Sequence, residues 1–308
     1  MTPRPTRRTT LRAAAIVLVT IVAALIVVPL VWPVPPLTDT VDPHTLADAD
    51  SRFTTIGGIS VHYKMWGMPS QIASSSATTG SVDTAIVLLH GFGASTFSWH
   101  TVAGALSERL PVVAFDRPAF GLTERPMTWS GPDPYAPEAQ ADLTVKLMDR
   151  LGIRRAVLIG HSAGGTVAAL VAARYPDRVA AVILEDPAVF NGGPPAFLAP
   201  VFRTPQFRRI GPLLSRSLAG QAGTDFIKSA WHDPSRITAE TYEGYRTPLR
   251  TTDWDEALWL LTIAPRPSDV PGVVRTIRAP VLFMTGDDDR IVPPADTRRA
   301  ADLVEGSR

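Results

Sequence analysis

Short unbroken apolar runs recur along the chain, each ending at a glycine, a histidine or an acid. Ala85–Leu89 before His90, Val112–Asp116, Ala156–Ile159 before Gly160, Val179–Asp186 and Pro280–Gly286 are such runs. A run of this length with no polar alternation has the pattern of a strand buried on both faces of a sheet. Helical patterns lie between the runs. Glu138–Leu151 places Ala141, Leu143, Leu147 and Leu151 on one stripe. The alanine-rich stretch after Ser162 reads as a helix ending near Tyr175-Pro176, and Ala295–Val304 reads as another. Phe53–Ile56 and Ile59–Trp66 are predicted as two strands of a hairpin turning at Gly57-Gly58. This alternation predicts an α/β fold with a mostly parallel, doubly wound sheet, covered by helices on both faces. From Pro187 to about Val274 the rhythm stops. Proline, glycine and aromatic residues become frequent, with short helices expected at Arg236–Tyr245 and Trp254–Ile263. That position suits a helical cap over the carboxyl ends of the strands, and its aromatic residues suit an apolar or aromatic ligand as well as a small core of the cap's own.

One apolar stretch has no strand-like boundary. Ala13–Trp32 carries no charge and follows Arg4, Arg7, Arg8 and Arg12. At 1.5 Å per residue it is long enough to cross a bilayer. The basic flank comes first, so the remainder is expected outside the cytoplasm. Two readings stand. One is a retained signal anchor, favoured by the length of the run and the lack of a small-x-small site before Pro33-Val34-Pro35-Pro36. The other is a cleaved secretory signal. Thr6–Arg12 loosely resembles a twin-arginine export signal, with Thr10 where an aromatic would stand. The division that results is a basic flank (1–12), a membrane segment (13–32), a linker (33–51), the first part of an α/β core (52–186), a cap (187–274) and the second part of the core (275–308). A stretch of small polar residues, Ser70–Ser81, is expected as a loop.

Chemistry concentrates where the strand runs stop. Ala156–Ile159 runs into Gly160-His161-Ser162-Ala163-Gly164, and a helix begins at once. A serine on a sharp strand-to-helix turn, with small residues beside it, is a nucleophile elbow. Its hydroxyl stands above the sheet, and the helix N-terminus favours developing negative charge there. Ala85–Leu89 runs into His90-Gly91-Phe92-Gly93. The backbone N–H groups of Phe92 and Ala163 are the natural pair of donors for an oxyanion. His90 is expected to be a structural hydrogen-bonder. Asp116 and Arg117 are expected to fix the loop that follows them, and His62 to lie on the surface of its strand. Composition narrows the remaining classes. The chain of 308 residues is 45% hydrophobic and 19% charged, which suits one sizeable catalytic domain. Net charge is +1, so nothing points to a nucleic-acid partner. The absence of cysteine excludes disulfides, thiol catalysis and thiolate metal sites. No metal or cofactor is expected. The histidines are six: His44, His62, His90, His100, His161 and His232.

The loops together resemble those of the α/β-hydrolase fold superfamily, in its lid-bearing branch of esterases, cofactor-free haloperoxidase-like enzymes and carbon–carbon hydrolases. The resemblance is carried by His90-Gly91-Phe92-Gly93, Asp116–Gly121, Gly160–Gly165 and Gly286-Asp287-Asp288-Asp289-Arg290-Ile291-Val292-Pro293, and spans roughly residues 52–308. It implies Ser162 as nucleophile and, by the G-x-x-D spacing, Asp289 rather than Asp287 or Asp288 as the acid that orients a histidine. Two positions depart from the pattern. Ala119 stands where the family often has glycine, and no histidine follows Asp289. The expectation is therefore a serine hydrolase whose histidine lies beyond Arg308, with hydrolysis by residues 1–308 alone severely reduced. Apolar or aromatic carboxylic esters or lactones are the expected substrates. A carbon–carbon bond hydrolase of the same mechanism is an alternative, and a non-catalytic, membrane-anchored binding module is another. A serine in place of an aspartate nucleophile argues against epoxide hydrolase and haloalkane dehalogenase chemistry.

Overall fold

Seven strands form one sheet, and the order in which they lie explains why the apolar runs are uninterrupted. The computed structural model describes residues 7–68, 81–190, 193 and 196–308; the loop expected at 70–81 lies, except for Ser81, outside them, as does Arg4. The strands are β1 (Arg52–Ile56), β2 (Ile59–Trp66), β3 (Val82–Leu89), β4 (Val112–Phe115), β5 (Ile153–His161), β6 (Val179–Glu185) and β7 (Val281–Met284). Their order across the sheet is β1-β2-β4-β3-β5-β6-β7. The hairpin β1–β2 is antiparallel and joins β4 antiparallel, while β4, β3, β5, β6 and β7 are parallel to one another. The helices are α1 (Arg7–Val31), α2 (Ala103–Ser107), α3 (Pro137–Arg150), α4 (Ala163–Arg174), α5 (Ala199–Phe202), α6 (Pro205–Ser215), α7 (Gln221–Ser229), α8 (Ala239–Arg246), α9 (Trp254–Ile263), α10 (Val270–Arg275) and α11 (Pro294–Ala301).

Successive residues of a strand face opposite sides, and here both sides are dry. Val87, Leu89, Val113, Phe115 and Leu158 join the layer that contains α3 and α4. Ile86, Leu88, Val112, Ala114 and Ile159 join Trp99 and Ala103 on the other face. The doubly wound sheet read from the sequence is therefore present. Two strand expectations need correction. His62 is 1% exposed rather than on the surface; its Nδ1 bonds Asp116 at 2.7 Å, so a partner carboxylate makes the buried position tolerable. Pro280–Gly286 is not a strand buried on both faces. Leu282 and Met284 of β7 are exposed, because β7 lies at the sheet edge. Arg308 adds one rung there, its N–H donating to Val281 O at 3.1 Å and its carbonyl accepting from Phe283 N–H at 2.7 Å.

Helices α5–α9 lie in the segment where the strand rhythm stops. Trp254, Ala257, Leu258 and Leu260 of α9 pack onto Ala119, Phe120 and Tyr135 of the loop after β4. Trp259 meets Phe202 and Phe207 in a ring cluster. Gly211 lies so close to the Trp259 indole that a Cβ there would overlap it. Helix α10 instead packs on α4 and buries Val274 in the main core. Helix α1 is exposed along the apolar stretch Leu11–Val31, apart from its contact with α6.

Candidate active site

Ser162 sits between β5 and α4 with φ +51° and ψ −119°. A non-glycine residue in this region is strained, and such strain persists only where the surroundings enforce it. Three bonds do so. Ser162 N–H donates to Glu185 O at 2.9 Å, and Ser162 O accepts from the N–H groups of Gly165 at 2.9 Å and Ala188 at 3.1 Å. The elbow's glycines are required by close approach. A Cβ on Gly164 would overlap the Leu89 carbonyl of β3, and a Cβ on Gly160 would meet Gly164 O at 2.6 Å. Gly91 is equally confined: a Cβ there would lie 2.8 Å from His161 Nδ1 and 3.3 Å from Ser162 Cβ. The loop after β3 and the serine turn are thus in contact.

The orientation of the Phe92 N–H follows from the peptide that contains it. Arg117 N–H donates to His90 Nε2 at 3.1 Å, which makes that nitrogen an acceptor. The other nitrogen, Nδ1, carries the proton and donates to Gly91 O at 2.8 Å. Arg117 Nη2 donates to the same carbonyl at 3.1 Å and to His90 O at 2.7 Å. The Gly91–Phe92 peptide is planar and trans, so fixing its carbonyl on the Arg117 side turns its N–H the opposite way. Phe92 lines the same cavity as Ser162 and Ala163. Ala163 opens α4, where N–H groups have no acceptor within the helix. Burial, with the Arg117 charge beside it, pushes His90 down to about 3, so the ring is neutral at physiological pH. Burial likewise pushes Arg117 down to about 9, opposed by Asp116.

Asp116 holds the framework around this loop. Its Oδ1 accepts from Thr96 N–H at 2.6 Å, and its Oδ2 accepts from Leu122 N–H at 2.8 Å and from His62. Burial alone would raise its pKa, but His62 and these donors hold it well below the usual carboxylate range. Asp116 and Arg117 therefore fix their loop, as the sequence suggested. His62 Nε2 also lies 2.9 Å from Ser51 Oγ, which ties in the segment before β1.

The carboxylates after β6 and β7 lie at the same end of the sheet as Ser162, since these strands are parallel neighbours. Asp289 Oδ1 accepts from the N–H groups of Ile291 at 2.7 Å and Val292 at 2.9 Å, which fixes its carboxylate on a tight turn. Asp288 turns away to His232 Nδ1 at 2.6 Å and Arg290 Nη2 at 2.7 Å. Asp186 was not singled out by the sequence reading. It has φ +44° and follows β6 directly, with Oδ1 buried and without a partner among the described residues. Burial raises its pKa and the nearby Asp289 adds to this, while Thr285 and His161 oppose it. The Glu185-Asp186-Pro187 strand end was the available signal. The histidines do not complete the arrangement. Among the described residues none hydrogen-bonds Ser162 or Asp289. His44 stacks on Phe53, His62 and His90 are engaged as above, His100 bonds Phe97 O, and His232 bonds Asp288.

A cavity of about 950 Å³ lies over Ser162, between the sheet and the cap. Its walls are Phe92, Phe120, Val189 and Phe190 on the core side, and Phe202, Leu261 and Ile263 on the cap side. Phe92 meets both Phe120 and Phe226 of α7 edge-on, so the loop after β3 touches the cap. The arrangement can hold an apolar ligand with a polar reacting group at its floor.

A family model described as the alpha/beta hydrolase fold matches residues 84–308. Among curated proteins the chain is similar to an uncharacterised hydrolase, YugF, of Bacillus subtilis (strain 168). The two are 27% identical over 246 residues, covering 79% of this chain and 82% of the relative. Among solved structures it is similar to a hydrolase from Pseudomonas aeruginosa PA01, with a TM-score of 0.65 and 21% identity over 85% of this chain and 89% of that one. It is also similar to the enol-lactonase from Burkholderia xenovorans LB400, with a TM-score of 0.61 and 24% identity over 83% and 89%. At these identities the two structures establish a common fold.

Proposed function

Because the chain belongs to the α/β-hydrolase fold family, we propose that it is a serine hydrolase of apolar carboxylic esters or lactones, anchored to a membrane by α1. The observation that carries the reading is Ser162 held at φ +51° on the floor of the cavity. Ser162 Oγ attacks the carbonyl carbon, and the carbonyl oxygen takes the negative charge between the N–H groups of Phe92 and Ala163. A histidine oriented by Asp289 takes the serine proton and returns it to the leaving alcohol. The acyl-enzyme is then attacked by water, the same histidine taking the water's proton, and Ser162 is released. The six histidines of this sequence are placed elsewhere or, for His161, make no bond to Ser162, so in this proposal the base is not among them. The arginines at the N-terminal end of α1 favour the orientation with the cavity on the extracytoplasmic side.

Turnover of an aryl ester such as p-nitrophenyl butyrate tests this reading. Residues 1–308 alone are expected to be slower, by about 10³-fold or more, than a chain that supplies the histidine. In that chain Ser162→Ala abolishes turnover and Asp289→Asn lowers it by orders of magnitude. Undiminished turnover in Ser162→Ala contradicts the assignment. A second reading rests on the same histidine geometry: the chain is a non-catalytic, membrane-anchored binding module that keeps the scaffold. Ligand binding in the cavity without turnover in any chain form would favour it.

A further inference from the structure

Helix α1 is joined to the rest of the molecule by the cap. It packs on α6, where Gln206 Nε2 donates to Ile26 O at 3.2 Å and Arg209 Nη2 donates to Trp32 O at 3.2 Å. Ile26 lies about 7.5 Å inside the end of α1 at 1.5 Å per residue. A span that crosses a bilayer therefore carries α6 with it to the boundary between hydrocarbon and head groups. The surface there suits that depth. Phe197 is 76% exposed, Leu214 58% and Val201 44%, and Arg208 and Arg209 are exposed beside them. Apolar side chains with basic neighbours are the composition of elements that lie in a membrane interface.

The same short helix, α5, exposes Val201 outward and contributes Ala199 and Phe202 to the cavity wall. Where this wall ends, Arg203 and Arg266 also line the cavity. Both are exposed, their acceptors are the backbone carbonyls Ile263 O and Thr262 O, and neither has a carboxylate in ion-pair contact among the described residues. They are close enough that the charge of Arg203, after burial, helps to push Arg266 below its ordinary value. Two like charges thus line a cavity that is mostly apolar apart from its floor, where Arg117, Gln140 and Ser162 lie, and Asp133 is within electrostatic range of Arg203. Guanidinium forks of this kind match the oxygens of a phosphate or carboxylate.

We propose that α5 and α6 seat the cap in the membrane surface beside α1. The cavity then takes from that surface single-chain acyl esters with an anionic head, held by Arg203 and Arg266 while the chain lies along Phe202 and Leu261. This deepens the ester-hydrolase and membrane-anchor reading and rests on it.

Two measurements on the full chain test it. The sequence has no cysteine, so Leu214→Cys accepts a single nitroxide label. In liposomes of neutral phosphatidylcholine the label is expected to collide with oxygen several-fold more than with a water-soluble nickel chelate. Flotation of the same sample with the vesicles reads the anchor separately. A floating protein with a water-exposed label overturns the seating alone, and failure to float removes anchor and seating together. In neutral detergent, calorimetry compares 1-oleoyl-lysophosphatidylglycerol with monoolein. The anionic lipid is expected to bind at least 10-fold more tightly. Arg203→Gln with Arg266→Gln removes the difference and leaves monoolein binding unchanged, whereas the Lys pair keeps most of it. Oleate in the same titration tells a carboxylate head from a phosphate one, and either anion exceeding monoolein supports the subsite. Three results overturn it: no preference in the unmodified chain, a preference retained in the Gln pair, or a Gln pair that loses both lipids equally. Fluorophosphonate labelling of Ser162 in these samples reads the hydrolase assignment independently, since lipid preference does not depend on it.

Discussion

Ser162, Ala119 and His90 each hold an unfavourable local state that their neighbours enforce. Ser162 is bound by β6, by Ala188 beyond it and by the first turn of α4. Ala119 has φ +79° in the loop after β4 and is buried against the cap. Alanine in this region costs about 1 kcal/mol relative to glycine. Ala119→Gly is expected to raise stability by about 0.5–1 kcal/mol in urea unfolding monitored by fluorescence. The family resemblance marked this position as unusual, and the backbone angle supplies the reason. His90 is buried neutral, with its folded pKa at about 3 against 6.5 for the free side chain. Between these values the unfolded chain binds the proton and the folded chain does not. Stability therefore falls as pH drops from about 6.5 towards 3, by up to about 1.4 kcal/mol per pH unit for this one group. Asp116 has the same proton preference in a lower window: its folded pKa is also depressed, so its contribution is present above about 3.8 and is lost only below that. His90→Asn is expected to flatten the urea midpoint between pH 6.5 and 4.5. An unchanged slope would mean that His90 does not resist protonation in the folded state.

At the scale of elements, the parallel strands bring the chemistry to one end, and the cap closes over it. Ser162 follows β5, Asp186 follows β6 and Asp289 follows β7, so residues more than a hundred positions apart share one edge of the sheet. Apolar runs ending in Gly160 and Gly286 announced two of these positions. The environment of His62 was not announced, because its partner Asp116 comes from a strand that only the folded topology places beside β2. The open side of β7 was equally hidden, since an apolar run reads alike at the centre and the edge of a sheet. In the cap, two short helices were legible, at 236–245 and 254–263, but the aromatics there could not be sorted into core and surface. The structure separates Trp259, which is buried against Gly211, Phe202 and Phe207, from Phe197, which faces out. Trp259→Ala is expected to cost about 3–5 kcal/mol locally. Limited proteolysis should then cut within the cap first and leave the sheet core resistant. A cap that stays protected would show that α9 is held by other contacts.

For the whole molecule, α1, the cap and the sheet form a sequence of contacts from the long apolar helix to the serine turn. Helix α1 packs on α6, the cap helices close the cavity, and the cavity floor is the serine turn. The alternation of apolar runs made the sheet legible, and the uncharged 20-residue run made the long apolar helix α1 legible. The contact between α1 and the cap had no signature, because a span and a cap helix each show only an apolar face and not the partner it meets. Nor did the convergence of Arg203 and Arg266 on one cavity, since they are 63 positions apart and line it together only because Arg203, just after α5, reaches the end of α9. The central claim is that Ser162 is a nucleophile at the cavity floor. Intact-mass spectrometry after exposure to an alkyl fluorophosphonate, followed by peptide mapping, tests it most directly. One adduct on Ser162, absent in Ser162→Ala and slowed by a cavity-filling ester, is the expected result. An unmodified Ser162 in a chain supplied with the histidine, or a first adduct on another serine, would contradict the account.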